Sequence, residues 1–329
     1  MTGLIEATMI PIWHKEIDLT QLYTTYFELL QDETLSSETR LLIIEAVQNL
    51  ILQRTELVVD ALTRLVNMVE FIDEDILKEK ILDIVRSLFY FIKETDLVDN
   101  ITSVAMKLLG DITESLSVRQ KAGDILELIA KHVPNKIVQH CAGLSDLFNE
   151  ITEWSIRDFI IKIAGETLRK IKEPEKNLVQ ALIRGLFDNM TYTIALDYLN
   201  IAAYKFPTHF VEYLDELGRF LTTLKEWESV IIAEESLESY YHFVEEPKRL
   251  SIKILTSIAL NLPTREPIKK IINILIDMLR DETNEIIKKD ISNSLKEISS
   301  IDNALANYIR ETAARNNVIN VLREYEFMK

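Results

Sequence analysis

The sequence contains very little glycine, proline or cysteine. Glycine and proline each occur seven times in 329 residues, well below their usual shares of roughly 7% and 5%. So few residues that accept a positive φ leave little room for hairpins, glycine-rich phosphate loops or a sheet. Cys141 is the single cysteine, which excludes an internal disulfide and a cysteine-based metal cluster. The composition therefore predicts an all-α chain.

Motifs that carry catalysis are also missing. There is no Gly-x-Ser-x-Gly, no Walker sequence and no dinucleotide fingerprint. The five histidines are far apart, and none belongs to a His-x-x-x-His pair. Glu238 and His242 lie four residues apart and could share a metal, but carboxylates on a helix face are usually solvated. We therefore expect no catalytic residue, no cofactor and no metal in a protein that is not an enzyme.

Basic residues are outnumbered by acidic ones, and the formal net charge is -16. A surface of this sign repels phosphate, which disfavours broad binding to nucleic acids or anionic membranes. No uncharged apolar run approaches about 18 residues, so no membrane span is predicted. The first residues lack the basic segment that opens a signal peptide. By elimination we expect a cytoplasmic protein, and the oligomeric state stays open.

A recurring apolar pattern runs along most of the chain. Counting from Arg119, small or apolar residues fall at +3, +6, +7 and +10, which places one apolar stripe on a helix. The template returns behind six other head residues, at spacings of 38, 41, 38, 39, 53 and 39. The seven heads are Arg40, Lys78, Arg119, Arg157, Leu196, Arg249 and Lys288. A period of about 39 residues indicates stacked helix pairs, none of which can bury its stripe alone.

The motif Val118-Arg119-x-x-Ala122 resembles the start of the second helix of a HEAT repeat, and 156–160 and 287–291 are weaker versions of it. The resemblance covers roughly residues 35–300. It implies a right-handed, armadillo-like α-solenoid of about seven to eight antiparallel helix pairs. HEAT repeats usually carry an acidic residue before the second helix, and here its offset from the head varies: Asp75, Glu114, Glu153 and Asp281.

The apolar pattern, together with the turn and capping residues between its copies, predicts the helix bounds. The pairs are 17–31 with 36–53, 55–70 with 74–93, 96–110 with 116–132, 135–150 with 154–171, and 174–187 with 191–206. A helix from 207 to about 223 follows, and the last pairs are 266–280 with 284–299 and 301–314 with 317–328. Gly110 is predicted as a C-cap and Ser115 or Ser117 as an N-cap, while Pro134, Pro174 and Pro207 open helices.

The repeat is interrupted once, between Leu196 and Arg249. Residues 226–247 hold seven glutamates and no lysine or arginine. We therefore predict an N-terminal arm or cap (1–16), HEAT-like repeats (17–224), an inserted acidic and aromatic helix (225–247), and further repeats with a C-terminal cap (248–329).

The helix face opposite the stripe holds positions +1, +5, +8 and +12. In HEAT-like arrays the second helices line a concave groove, so the resemblance implies that these positions face a partner. In the first four copies the charges at these positions are mostly negative, although a solvated helix face explains scattered charges equally well. The acidic candidates for partner binding are Glu45, Glu79, Asp83, Asp124, Glu127 and Asp158.

Apolar residues occupy the same face in the middle copies, at Ile201, Tyr204, Leu250 and Ile254. Leaving them in water would forgo roughly 25 cal/mol per Å² of burial, so something should cover them. The inserted segment offers Trp227, Val230, Ile231 and Leu237. A partner protein or a wrong repeat register would also explain the pattern.

The leading hypothesis is a scaffold or adaptor that binds a basic or amphipathic protein segment in the groove. One alternative resembles the HEAT-like alkylpurine DNA glycosylases and would use Trp154 and Asp158, although the negative charge argues against DNA. Another is a fixed subunit of a larger complex. Deoxyhypusine hydroxylase-like solenoids carry several His-Glu dipeptides, and this chain has none.

Overall fold

The structure, a computed structural model, describes residues 19–233 and 240–325; for residues 229–233 it describes the helical backbone. Regular structure within these ranges is helical throughout. The described residues form two compact units, one of 19–142 with 151–159 and the other of 143–150 with 160–233 and 240–325. The four predicted domains stay a prediction, and the arm 1–16 lies outside the described residues.

In the first unit, successive helices pack on each other, and the second helices of neighbouring pairs, α2, α4 and α6, also pack together. The helices are α1 (Leu19–Leu30), α2 (Ser37–Gln53), α3 (Val58–Val69), α4 (Asp75–Ile92), α5 (Leu97–Gly110), α6 (Leu116–His132) and α7 (Pro134–His140).

The second unit repeats this arrangement, with α11 packed on α13 and α13 on α15. Its helices are α8 (Leu144–Glu150), most of α9 (Trp154–Lys170), α10 (Lys176–Gly185), α11 (Tyr192–Lys205), α12 (Leu214–Ala233), α13 (Glu246–Asn261), α14 (Arg265–Asp281), α15 (Glu285–Ser299), α16 (Asn303–Arg315) and α17 (Ile319–Glu324).

Side-chain caps explain where several second helices begin. The Ser36 hydroxyl accepts a hydrogen bond from the Thr39 amide, and Ser115 accepts one from the Val118 amide. Each cap satisfies an amide that the first turn leaves without a partner and contributes about 1 kcal/mol. Ser115 rather than Ser117 is therefore the N-cap of α6.

Four predicted boundaries are wrong in detail. A 3₁₀ turn at Cys141–Gly143 divides the helix predicted at 135–150 into α7 and α8. Pro174 precedes α10, whose N-cap Glu175 is extended. The chain leaves Gly110 through extended backbone at Asp111, so no left-handed C-cap forms there. After a 3₁₀ segment at Pro207–Tyr213, α12 continues far beyond 223 to Ala233.

The predicted stripes form part of the core, together with buried residues of the first helices. In all seven copies the residues at +3, +6, +7 and +10 are buried, from Ile43 at the start of the first copy to Ile298 at the end of the last. Each fully buried leucine or isoleucine contributes roughly 1.5–3 kcal/mol relative to its exposed state. The helical period therefore identified these inward residues correctly, although it assigned Ile254 of the sixth copy to the outer face.

Three basic head residues of the first unit, Arg40, Lys78 and Arg119, form a ladder with acids in the following turns. Each cation, in the first turns of a second helix, binds a carboxylate that precedes the next second helix. Lys78 Nζ lies 2.5 Å from Glu114 Oε1, and Arg119 Nη1 lies 3.0 Å from Glu153 Oε1. Arg40 pairs with Glu74 in the same way. The acid is thus regular in space although its sequence offset varies.

The same ladder corrects the register of the sixth copy. Lys248, not Arg249, is the buried cation, and its ammonium lies 3.0 Å from Glu282 Oε2. Arg249 is exposed. Counting from Lys248 moves Ile254 from +5 to the inward position +6, and the structure buries it completely.

Candidate functional site

Most of the acidic candidates of the first unit already have cationic partners. Asp83 Oδ1 lies 2.7 Å from Lys121 Nζ, one second helix further along the chain. The other pairs are Glu45 with Lys80 (3.2 Å), Asp124 with Arg86 (2.9 Å) and Glu127 with Lys131 (2.5 Å). The surface formed by these second helices is therefore far less negative than the acids alone indicated.

The sequence pattern missed the pairs of Glu45 and Asp83 because it counted one face only. Lys80 and Lys121 stand at +2, on the flank of the helix that faces the preceding repeat, where each reaches an acid of that repeat. Charge reversal of Asp83 or Asp124 would break these contacts, so it does not isolate an effect on binding.

Glu79 and Asp158 are both partly exposed. Asp158 lies one turn after Trp154 at the start of α9, and the Trp154 side chain is exposed. The turns before α4, α6 and α9 carry carboxylates, which repel a phosphate backbone. The geometry thus gives the DNA-binding alternative no support.

A groove of about 660 Å³ lies in the second unit, along α11, α13 and α15. We call it the second-helix groove. Exposed apolar surface comes from Tyr204, Tyr241 and Leu260, and Leu250 contributes a half-buried side chain. The hydroxyls of Thr256, Ser257 and Ser294 and the amide of Asn293 line it as well, next to the charged residues Asp197, Glu246, Arg249, Lys253, Asp290 and Glu297.

The acids of this groove exceed its cations. Arg249 Nε lies 2.6 Å from Asp290 Oδ2, so these two charges neutralise each other. Desolvation, followed by repulsion from Glu246, raises the pKa of Asp197. A cation placed beside such a carboxylate stabilises its ionised form.

The four predicted apolar candidates have different environments. Tyr204 is 72% exposed and lines the groove, and Ile201 is also exposed one turn earlier. Leu250 is half-buried at the groove wall. Ile254 does not belong to this surface, because its side chain points into the core between α13 and its neighbours.

The predicted cover is only partly described. Trp227 lies near the end of α12, where its ring meets Tyr192 edge-on at 5.1 Å and Phe220 at 6.4 Å. It therefore packs into the second unit and contacts the start of α11 rather than its groove side. The side chains of Val230, Ile231 and Leu237 lie outside the described residues.

A π-helical turn at Tyr241–Glu245 leads into α13 and borders the groove. Pro247 has no amide hydrogen, so it cannot donate to the carbonyl of Phe243 one turn earlier. The Tyr192 hydroxyl donates to that carbonyl instead, at 3.2 Å. Burial raises the pKa of Tyr192 to about 12, which keeps this donor protonated.

A buried charge cluster joins α12 and α13 to the turn before α15, and sequence reasoning did not find it. Lys248 Nζ lies 2.6 Å from Glu228 Oε2 and 3.0 Å from Glu282 Oε2. The Tyr240 hydroxyl donates to the other oxygen of Glu228 at 3.0 Å. Glu228 belongs to the stretch without lysine or arginine, so its cation comes from the adjoining segment.

The described residues contain no group of three or more histidine, cysteine or acidic side chains that could hold a metal ion. His242 lies 3.5 Å from Glu246, and Glu238 is outside the described ranges. Within the same ranges, no helix has the length and apolar character needed to cross a membrane.

Comparison with known proteins identifies the fold. No family model matches the chain, and no curated protein does. Among solved structures, armadillo-like SYS-1 matches with a TM-score of 0.51 and 12% identity, over 94% of this chain and 61% of SYS-1. Importin beta matches with a TM-score of 0.49 and 12% identity, over 93% of this chain and 43% of importin beta. The chain has the fold of an armadillo-like helical-repeat solenoid.

Proposed function

We propose that this α-solenoid is a non-enzymatic scaffold that binds a segment of another protein in its second-helix groove. The observation that carries the proposal is the groove of about 660 Å³ with Tyr204 on its wall. An exposed tyrosine offers a rigid apolar ring and a hydroxyl at low entropic cost, a combination enriched in protein interfaces. Ile201 and Leu260 extend the exposed apolar surface near it.

The charges of the groove favour a basic or amphipathic segment. With Arg249 and Asp290 paired, Asp197, Glu246 and Glu297 remain against Lys253. A lysine or arginine placed near Asp197 and Glu246 would relieve their mutual repulsion. Apolar neighbours of that cation would then pack on Tyr204 and Leu260.

The test compares Tyr204→Ala/Leu260→Ala with wild type and with a matched control, Leu52→Ala, which truncates an exposed leucine in the first unit. Each form is used as bait in an extract of the native source. A protein retained by wild type and the control is then purified and titrated by calorimetry. We expect the groove variant to weaken binding at least tenfold while its helicity, measured by circular dichroism, is unchanged.

Equal affinity for all three forms would overturn the groove proposal. A titration series from low to high salt supplies the charge test, because a cation held by Asp197 and Glu246 loses affinity as salt screens the attraction. Salt-independent binding would exclude the basic segment but leave the apolar contact in place.

The fixed-subunit alternative makes a different prediction. An obligate partner buries a large apolar interface and stays bound at about 1 M salt and low concentration. Size-exclusion chromatography of the natively isolated protein under these conditions distinguishes the two functions. A complex that dissociates under them favours the scaffold.

A further inference from the structure

The turns before the second helices of the first unit expose large apolar side chains. Phe71 is 85% exposed and Ile112 is 73% exposed. Ile76, Leu116 and Trp154, each at or next to the first residue of α4, α6 and α9, are exposed as well. We call these five residues the turn edge.

The cation–carboxylate ladder links the turns that carry these five residues. Lys78 lies two residues after Ile76, and its partner Glu114 lies two residues from both Ile112 and Leu116. The Arg119–Glu153 pair joins the turn of Leu116 to that of Trp154 in the same way. Successive turns are therefore held about one packed-helix spacing apart, ~10 Å.

The charge of this edge is negative. The stretches 70–76, 111–116 and 152–154 contain no lysine or arginine. The ladder cations belong to the helices behind them and are engaged with Glu74, Glu114 and Glu153, while Lys107 pairs with Glu70.

Of the other acids of the edge, Asp73 and Asp75 have no cation within ion-pair distance in the described part of the chain, whereas Lys78 and Lys107 attract Asp111 from a greater distance. Hydrogen bonds from Thr113 lower the pKa of Asp111, so that carboxylate stays ionised. Acids near helix N-termini stabilise the helix dipole, which accounts for part of this charge. The helix dipole does not explain why the apolar residues of the turn edge are exposed.

We propose that the turn edge is a second docking surface, for a protein segment whose bulky apolar side chains are spaced about 10 Å apart and separated by lysines or arginines. Basic residues complement the acids between the apolar groups. A segment in the polyproline II conformation has three residues per turn and rises about 3.1 Å per residue, so every third side chain points to the same side and lies about 9 Å from the next. This surface is independent of the second-helix groove and lies in the other compact unit.

The probe is a 12-residue peptide of the repeating triplet Leu-Lys-Ser, titrated against a chain with Trp13→Phe and Trp227→Phe, in which Trp154 is the remaining tryptophan. We expect a saturable blue shift of Trp154 emission, because bound leucines displace water from the indole. A peptide of the same composition with its leucines adjacent is the matched control and should bind at least fivefold more weakly.

Two variants on this background locate the binding. Phe71→Ser/Ile112→Ser should lower the affinity at least tenfold, and Asp73→Asn/Asp75→Asn should lower it several-fold and reduce its salt dependence. Leu52→Ser and Tyr204→Ala/Leu260→Ala should leave it unchanged, and circular dichroism checks the fold of every variant. If Tyr204→Ala/Leu260→Ala were the only variant to lose the peptide, the turn-edge proposal would be overturned and the groove proposal would stand.

Equal binding of the two peptides, or full affinity in Phe71→Ser/Ile112→Ser, overturns the proposal. Sedimentation velocity tests whether a second copy of this chain occupies the turn edge instead. If the chain forms a dimer that Phe71→Ser/Ile112→Ser abolishes, and the spaced peptide does not bind, the edge is a contact between copies and the proposed partner is wrong.

Discussion

Two glycines allow second helices of neighbouring repeats to approach closely. A Cβ added at Gly165 would lie 2.0 Å from Cγ of the Tyr198 ring, and one at Gly123 would lie 2.6 Å from Cγ of the Phe159 ring. Tyr198 cannot simply move away, because its hydroxyl donates to the buried Glu166 at 3.1 Å. These residues are glycine for reasons of space, since neither has a positive φ.

Gly165→Ala should therefore destabilise the protein by about 1–3 kcal/mol. Overpacking of that order outweighs the gain of about 1 kcal/mol that alanine brings to a helix interior. Urea unfolding followed by circular dichroism measures the change. Gly143→Ala is the control, because its added Cβ meets nothing within 4 Å. A stabilised Gly165→Ala would mean that Tyr198 can move.

Asp197 should make stability depend on pH in an unusual direction. Because desolvation raises its pKa in the folded state, the folded protein binds the proton more tightly than the unfolded chain. Its contribution to stability therefore falls as the pH rises from the unfolded value near 3.8 through the folded value. Asp197→Asn should raise the thermal midpoint at pH 7 and have little effect at pH 3.

Asp111→Asn supplies the opposite sign. Hydrogen bonds from Thr113 lower the pKa of Asp111, so its ionised form stabilises the fold at neutral pH. The substitution should lower the midpoint at pH 7. Midpoint changes of the same sign in the two variants would contradict the assignment of their environments.

Some contacts between helices supply hydrogen bonds that the local backbone cannot make. Pro247 withholds a hydrogen from the carbonyl of Phe243, and the Tyr192 hydroxyl of a different helix supplies one. The π-turn is thus connected to α11, one of the groove helices. Periodicity predicted α11 and α13 separately but held no information on this bond.

A double-mutant cycle tests the replacement. Tyr192→Phe should cost about 1 kcal/mol in the wild-type background, the usual net value of such a hydrogen bond. In the Pro247→Ala background the restored amide can donate to Phe243, so Tyr192→Phe should cost clearly less. Thermal unfolding of the four proteins gives the coupling. If the costs of Tyr192→Phe and Pro247→Ala were additive, the restored amide would not replace the hydroxyl as the donor to Phe243.

The ladder predicts that removing one charge of a pair costs more stability than removing both. Lys78→Met leaves Glu114 without its cation in a largely buried position, at an expected cost of about 1–3 kcal/mol. Lys78→Met/Glu114→Leu removes both charges and should recover part of this loss. Urea midpoints of the two variants decide the matter, and a double variant less stable than the single one would contradict the expectation.

Within each unit the described helices pack mainly on helices of the same or a neighbouring pair, so stability should be local. In helical-repeat proteins each repeat contacts only its neighbours, and opening one region need not open the rest. Leu126 and Leu255 occupy the same inward position in the two units, and both are fully buried. They form a matched pair.

Leu126→Ala should lower amide protection mainly in α4–α6, and Leu255→Ala mainly in α11–α15, each by about 2–5 kcal/mol of opening free energy. Native-state hydrogen exchange with mass spectrometry maps both. Uniform loss of protection over the whole chain in either variant would show that the two units unfold together.

The order of residues along the chain was sufficient for most helices and for most of the inward stripe, and it narrowed the N-cap of α6 to Ser115 or Ser117, because each depends on neighbours within a turn or two. It was insufficient for the surfaces. The partner of Asp83 stands 38 residues away, and the Tyr192–Phe243 bond spans 51. Likewise, Ile254 is a core residue only because Lys248 sets the register. Such contacts depend on which helices pack together, so only the folded chain shows where the exposed apolar groups and unpaired acids lie.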